Sequence, residues 1–247
     1  MIAPDFPTFE TGFGRGENQI LWTRLPADLD TPVSLMLKLA EAQPFSFVLE
    51  SVTGGEVRGR YSIVGMKPDL IWECRGTASR VNRVARYDPT AWSDAGEPLA
   101  AIRALLDESR ITLPDDLPAA CAGLFGYLGY DMIRLVEHLP NVNPDTLNLP
   151  DAVLMRPSVV AVLDGVKGEV ILVAPSWFNK SATARAAYAQ AAERLQDALT
   201  SLGHAVTEPR DMAEPFDLAE PVSNFTKDDY KAAVEVARDY IAAGDIF

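Results

Sequence analysis

The sequence holds only two cysteines, Cys74 and Cys121, and only two histidines, His138 and His204. Two distant cysteines make neither a disulfide framework nor a zinc pattern, so both read as unpaired structural thiols behaving as small buried hydrophobes. Neither histidine has a metal-binding partner nearby, and both read as surface or loop residues. No segment approaches the roughly 20 consecutive apolar residues of a membrane span. The opening "MIAPDFPTFE" lacks the basic start and apolar run of a signal peptide. Together these absences predict a soluble, cytoplasmic protein with no membrane partner. Positive charge is also short: Lys and Arg number 22 against 35 Asp and Glu, a net charge of −13. A nucleic-acid binder needs a basic face to neutralise phosphates, so this balance argues against that class, while it does not exclude a local anion site. The acids are scattered and read as a solvated surface.

What is present is ample material for a core, with 48% hydrophobic residues over 247 positions. There is no internal repeat and no low-complexity segment. Thr31-Pro32 has the form of an N-cap followed by proline at the first helical position. Val33, Met36, Leu37 and Ala40 then share a helical face. Phe45, Phe47 and Leu49 alternate with Ser46, Val48 and Glu50, which predicts a strand. Gly54-Gly55 lies in the connection to a second strand over 61–64. "DLIWECRG" predicts a third, with "SRVNRVARY" available to pair with it. "PLAAIRALLDESR" sets Leu99, Ile102, Leu105 and Leu106 at helical spacing.

"DAVLMRPSVVAVLDGVKGEVILVAP" predicts three short strands, two of them joined by the hairpin turn "DGVKG". The alanine-rich helix "SATARAAYAQAAERLQDALTSLG" is expected to end at Gly203 in a left-handed cap. Residues 204–223 carry proline breaks without periodicity, the mark of a linker or crossing segment. Thr226 and Asp229 form a capping-box start for a last helix. That helix has Tyr230, Val234, Ala237 and Ile241 on its apolar face and Gly244 at its end. "GDIF" reads as the beginning of a strand, so the chain reads as cut at Phe247.

Two stretches carry more than secondary structure. In "FVLESVTGGEVRGRYSIVG" (47–65) a strand ends in an acid and a hydroxyl, Glu50-Ser51, with Arg58 and Arg60 on the returning strand. An amino acid ligand needs an acceptor for its ammonium and donors for its carboxylate. Glu50 supplies the first, Ser51 and Arg60 the second, and Leu49 offers apolar surface. The plainer reading is a solvated strand end. In "GLFGYLGYD" (123–131) the glycines lack both Walker spacing and the Rossmann order. They read as close packing of a strand against a neighbour, and Met132, Ile133, Leu135 and Val136 after them as core.

These motifs resemble a family. "VLESVTGGEVRGRYSIVG" is similar to the N-terminal signature of component I of anthranilate synthase, and "AGLFGYLGYDMIRLVEHLP" to its second signature. "PDAVLMRPSVVAVLDGVKGEV" resembles a third segment, and "SNFTKDDYKAAVEVARDYIAAGDIF" the opening of the chorismate-utilising catalytic domain. The four lie in family order, and the resemblance covers nearly all of the chain from about residue 12.

The resemblance implies an α+β fold in which antiparallel sheets pack as a sandwich with flanking helices, a class that short alternating strands without regular βαβ order also suggest. It divides the chain into an effector-binding region over 1–203, a linker over 204–223 and the first helix of the catalytic domain over 224–247. It implies conversion of chorismate and ammonia to anthranilate and pyruvate, with Mg²⁺ at the chorismate site. Ammonia would come from a glutamine amidotransferase partner, and tryptophan would act as feedback inhibitor. The family's catalytic and metal-binding motifs lie in a C-terminal half outside this sequence, so no catalytic or metal residue is assigned here and the 247 residues alone are expected to be inactive. The effector assignment falls on Ser51, which occupies the family's serine position, with Glu50, Leu49 and Arg60. Other pocket residues belong to the C-terminal half, so these residues alone are expected to bind tryptophan weakly. Two alternatives stay open: component I of aminodeoxychorismate synthase on the way to 4-aminobenzoate, and a non-catalytic effector-binding module.

Overall fold

Among the described residues each α-helix begins where the sequence supplies a side-chain acceptor for first-turn N–H groups that have no partner within the helix. The computed structural model describes residues 1–40, 43–50, 59–84, 87–140, 144–206 and 220–247. Asp5 accepts from the Thr8 N–H at 3.1 Å and opens α1 (Phe6–Gly14). After β1 (Gln19–Pro26), Thr31 Oγ1 accepts from the Ser34 N–H at 3.1 Å at the head of α2 (Pro32–Ala40), the cap its sequence predicts. Then come β2 (Phe47–Leu49), β3 (Tyr61–Arg75), β4 (Ala78–Asn82) and β5 (Trp92–Gly96). Glu97 caps α3 (Pro98–Glu108) by accepting from the Leu99 and Ala100 N–H groups. The strands β6 (Phe125–Leu128), β7 (Ala152–Asp164) and β8 (Glu169–Ser176) precede α4 (Ala184–Leu202), which Thr183 caps.

The strands make one antiparallel sheet of eight, in the order β1-β8-β7-β3-β4-β5, with β2 added beside β3 and β6 beside β7. Helices flank it, and the α+β antiparallel class is the expected one. β3 and β7 are the long central pair. β3 pairs with β2 through Ile63–Gly65 and with β4 through Ile71–Arg75, while β7 pairs with β6 through its first residues and with β8 through Val160–Asp164. The segments 61–64 and "DLIWECRG", expected as two strands, are therefore one, and so are "DAVLMRP" and "SVVAVLD". The reason is local. Proline cannot donate to a ladder and ordinarily terminates a central strand. Here Pro68 and Pro157 stand opposite each other, and a register shift between Pro68 and Leu70 absorbs the irregularity. Lys67, beside the shift, has φ 49°.

Packing follows the period-two alternation of a strand. Val159 and Ala161 of β7 and Val170, Leu172 and Ala174 of β8 point into one cluster with α1, α2 and α4. Val160, Val162, Ile171 and Val173 point into the opposite one, where Leu117 and Cys121 cover them. A third cluster joins Leu70, Trp72 and Cys74 to Ala101 and Leu105 of α3. Both cysteines are free and buried, and both histidines are exposed, as expected.

Several local expectations shift. The buried stripe of α2 is Leu35, Leu39 and Ala40, while Val33 and Leu37 are exposed, because the leucines one turn apart face the sheet. In α3 the buried residues are Pro98, Ala101 and Leu105, and Leu106 is exposed. Gly203 is right-handed at φ −71°, its N–H turning back to the Leu199 and Thr200 carbonyls, so α4 ends in a tightened turn without a left-handed cap. Residues Tyr130–Leu135 form a 3₁₀ turn with no buried residue. Ile133 and Val136 are exposed, and of that group Met132 packs against the third cluster.

The chain divides into two compact units, Met1–Val206 and Thr207–Phe247. The first holds the sheet and α1–α4. The described part of the second holds α5 (Lys227–Ala243), where Thr226 Oγ1 accepts from the Asp229 N–H and Gly244 ends the helix at φ 84°. Among the described residues no helix is long and apolar enough to cross a membrane.

Candidate functional site

The corner after β2 is built from close backbone approach. Phe47 lies opposite Gly65 in the β2–β3 pair, and a Cβ at Gly65 would collide with the Phe47 ring. With that space open, Phe47 stacks on Phe125 at 4.9 Å between ring centroids. Leu49 pairs with Ile63 and keeps about half of its surface exposed, and Glu50 follows it, exposed. Ser51, Gly54, Gly55 and Arg58 lie outside the described residues.

Arg60, immediately before β3, is engaged. Its Nε donates to Asp164 Oδ1 at 2.9 Å and its Nη2 to Oδ2 at 2.6 Å, a bidentate pair with the last residue of β7. Asp164 also accepts from the Val166 and Lys167 N–H groups of the β7–β8 turn, while the Gly165 N–H donates to the Arg60 carbonyl. The guanidinium further lies over the Tyr61 ring at 4.9 Å. Hydrogen bonding from Arg60 holds the Asp164 carboxyl below the usual carboxylate range; burial works against this, and the two turn N–H groups reinforce it. The Arg60 guanidinium is raised in turn by Asp164. The corner therefore presents Leu49 and Glu50 outward, while Arg60 ties it to the neighbouring hairpin. Sequence reasoning missed Asp164, because "DG" reads as turn chemistry with no sign of a partner 104 residues away.

The glycine-laced stretch is packing, as its spacing suggests. Gly126 has φ 153°, and a Cβ there would run into the Val153 carbonyl of β7. A Cβ at Gly129 would stand 2.8 Å from the Asp151 carbonyl, to which the Gly129 N–H already donates at 2.7 Å. The glycines let β6 lie against β7. Among the described residues no group of three or more His, Cys, Asp or Glu side chains is placed to hold a metal ion.

Comparison with known proteins gives the relationship. Over 243 residues, 98% of this chain, the sequence is 66% identical to anthranilate synthase component 1 of Cereibacter sphaeroides, covering 49% of that protein. It is 37% identical to the component 1 of Pseudomonas putida over 89% of the chain and 44% of the relative. For the component 1 of Thermus thermophilus the figures are 38%, 90% and 44%. The chain thus spans about half the length of the curated relatives it matches. A solved structure of anthranilate synthase component I from Streptococcus pneumoniae aligns with a TM-score of 0.48 at 21% identity, over 91% of this chain and 46% of that one. The profile of the chorismate binding enzymes matches residues 66–247, most of the chain, and the chain belongs to that family.

Proposed function

We propose that these residues are part of component I of an anthranilate synthase, acting in tryptophan biosynthesis. The observation that carries the reading is the 66% identity to the Cereibacter sphaeroides protein across nearly the whole chain. In this reading the whole protein converts chorismate and ammonia to anthranilate and pyruvate, a carbon–oxygen lyase reaction in the cytoplasm. Ammonia is supplied by a glutamine amidotransferase subunit, and Mg²⁺ is held by C-terminal residues outside these 247. Residues 1–203 form the effector-binding part, 204–223 a connection and 224–247 the opening helix of the catalytic part. The 247 residues alone do not make anthranilate.

The effector corner takes tryptophan in feedback inhibition. Glu50 accepts from the ligand ammonium, Ser51 donates to its carboxylate, and Leu49 meets the indole. Arg60 is a positioning residue, since its guanidinium is held by Asp164. The test is product analysis with the full-length protein, chorismate, Mg²⁺ and ammonium. Anthranilate released with pyruvate supports the reading. Accumulation of 4-amino-4-deoxychorismate, or unreacted chorismate, overturns it.

A further inference from the structure

The irregularity in the central strand pair borders a cavity of about 950 Å³, within the size range of small-molecule sites. Lys67, Asp69 and Arg156 line it from β3 and β7, Trp177 and Lys180 from the segment after β8, and Arg194 from α4. Its charge runs against that of the chain. In a protein of net charge −13, four cations face it with two carboxylates, Asp69 and Glu108.

Arg156 engages both acids, sharing Glu108 with Arg83, whose Nη1 and Nη2 donate to it at 2.8 and 2.7 Å. The Arg156 Nε and Nη2 each donate to Asp69 at 2.9 Å and its Nη1 to Glu108 at 3.0 Å, while the guanidinium lies over the Trp177 ring at 4.4 Å. Arg194 has only neutral acceptors: the Pro175, Gln190 and Ser158 carbonyls at 3.1, 3.3 and 3.4 Å, and Gln190 Oε1 at 3.5 Å. Burial lowers its pKa from the usual value, with the charge of nearby Asp69 working against this. Among the described residues no carboxylate pairs with Lys67, Lys180 or Arg194.

Two further features converge on the cavity. Lys67 holds a left-handed backbone at φ 49°, a conformation that costs energy for any residue but glycine and concentrates at binding sites. It sits at a register shift of the kind that re-aims side chains. Trp177, in the cavity wall, has a buried indole N–H without an acceptor among the described residues.

We propose that this cavity binds a compact oxyanion ligand, a small dicarboxylate or phosphate ester, whose oxygens are met by Lys67 and Arg194 with Lys180 adding charge. Neither the chorismate reaction nor the tryptophan corner enters this argument, so failure of one leaves the other standing.

The test titrates the full-length protein with inorganic phosphate and, separately, with malonate, followed by calorimetry and tryptophan fluorescence. Saturable binding is expected, with a fluorescence change lost in Trp177→Phe. Loss of one charge-assisted contact should weaken affinity by about tenfold or more in Lys67→Gln and in Arg194→Gln. Arg194→Lys should keep most of it, and added salt should reduce it. Binding of phosphate alone assigns a phosphate ester and of malonate alone a carboxylate. The proposal is overturned if neither anion binds saturably, or if both charge variants bind like the parent. Lys67 is exposed, so Lys67→Gln keeps the test decisive if Arg194→Gln does not fold.

Discussion

Arg60 and Asp164 join two hairpins through paired hydrogen bonds of 2.9 and 2.6 Å, and the Asp164 side chain is 2% exposed. The pair connects the chain entering β3 to the turn leaving β7. A buried carboxylate so placed depends on its cation, because removing one partner strands the other's charge.

Asp164→Asn keeps an oxygen for the Val166 and Lys167 N–H groups and loses the charge that meets Arg60. It should cost about 1.5–3 kcal/mol, the range for hydrogen bonds to charged groups, read as a lower urea midpoint at neutral pH. The pH dependence has a definite sign. The folded-state pKa of Asp164 is lowered, so its contribution is fully present above the ordinary aspartate value of about 3.9. As pH falls below that value the unfolded chain takes up the proton first, and the contribution is lost as pH passes the folded pKa. Asp164→Asn should therefore flatten the stability profile on the acid side. Parallel parent and variant curves below that pH would contradict it.

Gly126→Ala tests whether the glycine stretch is packing. The new Cβ would meet the Val153 carbonyl oxygen from a backbone at φ 153°, and β6 would have to leave β7. The strain alone is about 1–3 kcal/mol, so a markedly lower thermal midpoint is expected. Ala substitution at Gly14, where a Cβ meets nothing within 4 Å, serves as the control.

Burial pushes the Cys121 thiol up to about 12. At about pH 8 only roughly one part in ten thousand is thiolate, the reactive form. Cys121 should resist thiol reagents in the folded protein and react promptly in denaturant. Mass-resolved labelling after a short pulse reads this directly, and rapid labelling of Cys121 in the folded state would refute it.

If the corner after β2 takes tryptophan, Glu50→Gln and Ser51→Ala in the full-length protein should each weaken inhibitor binding by about tenfold or more. Turnover without tryptophan should stay unchanged. Loss of turnover together with binding would place these residues in general stability instead.

Local chemistry was the legible part of the sequence. The Thr31 and Thr226 caps, the "DGVKG" turn and the pairing of Ser79–Asn82, the start of "SRVNRVARY", with the preceding strand all rest on neighbours within a few residues. The long central strands were not legible, because Pro68 and Pro157 each read as a strand end until their mutual pairing is known. The first helix and first strand, 6–14 and 19–26, were not legible either, since their periodicity is short and the strand pairs with β8, far along the chain. At the site, Leu49 and Glu50 could be picked out by pattern, but the hold of Asp164 on Arg60 could not. The cation-lined cavity was equally hidden: Lys67, Arg156, Trp177 and Arg194 become neighbours only through the fold.

Lys67→Gly separates backbone strain from side-chain charge at that cavity. Lysine at φ 49° bears a strain of about 1–3 kcal/mol that glycine does not. Glycine returns about 0.5–1 kcal/mol of this through the greater freedom of the unfolded chain. The net expectation is a stabilisation of about 1 kcal/mol, seen as a higher urea midpoint with unchanged slope. Lys67→Gln, which keeps a Cβ, should leave stability within about 0.5 kcal/mol of the parent, as exposed substitutions do. Stabilisation by glycine without stabilisation by glutamine isolates the backbone as the source of strain. Destabilisation by glycine would mean that the lysine stem contributes more packing than the left-handed backbone costs.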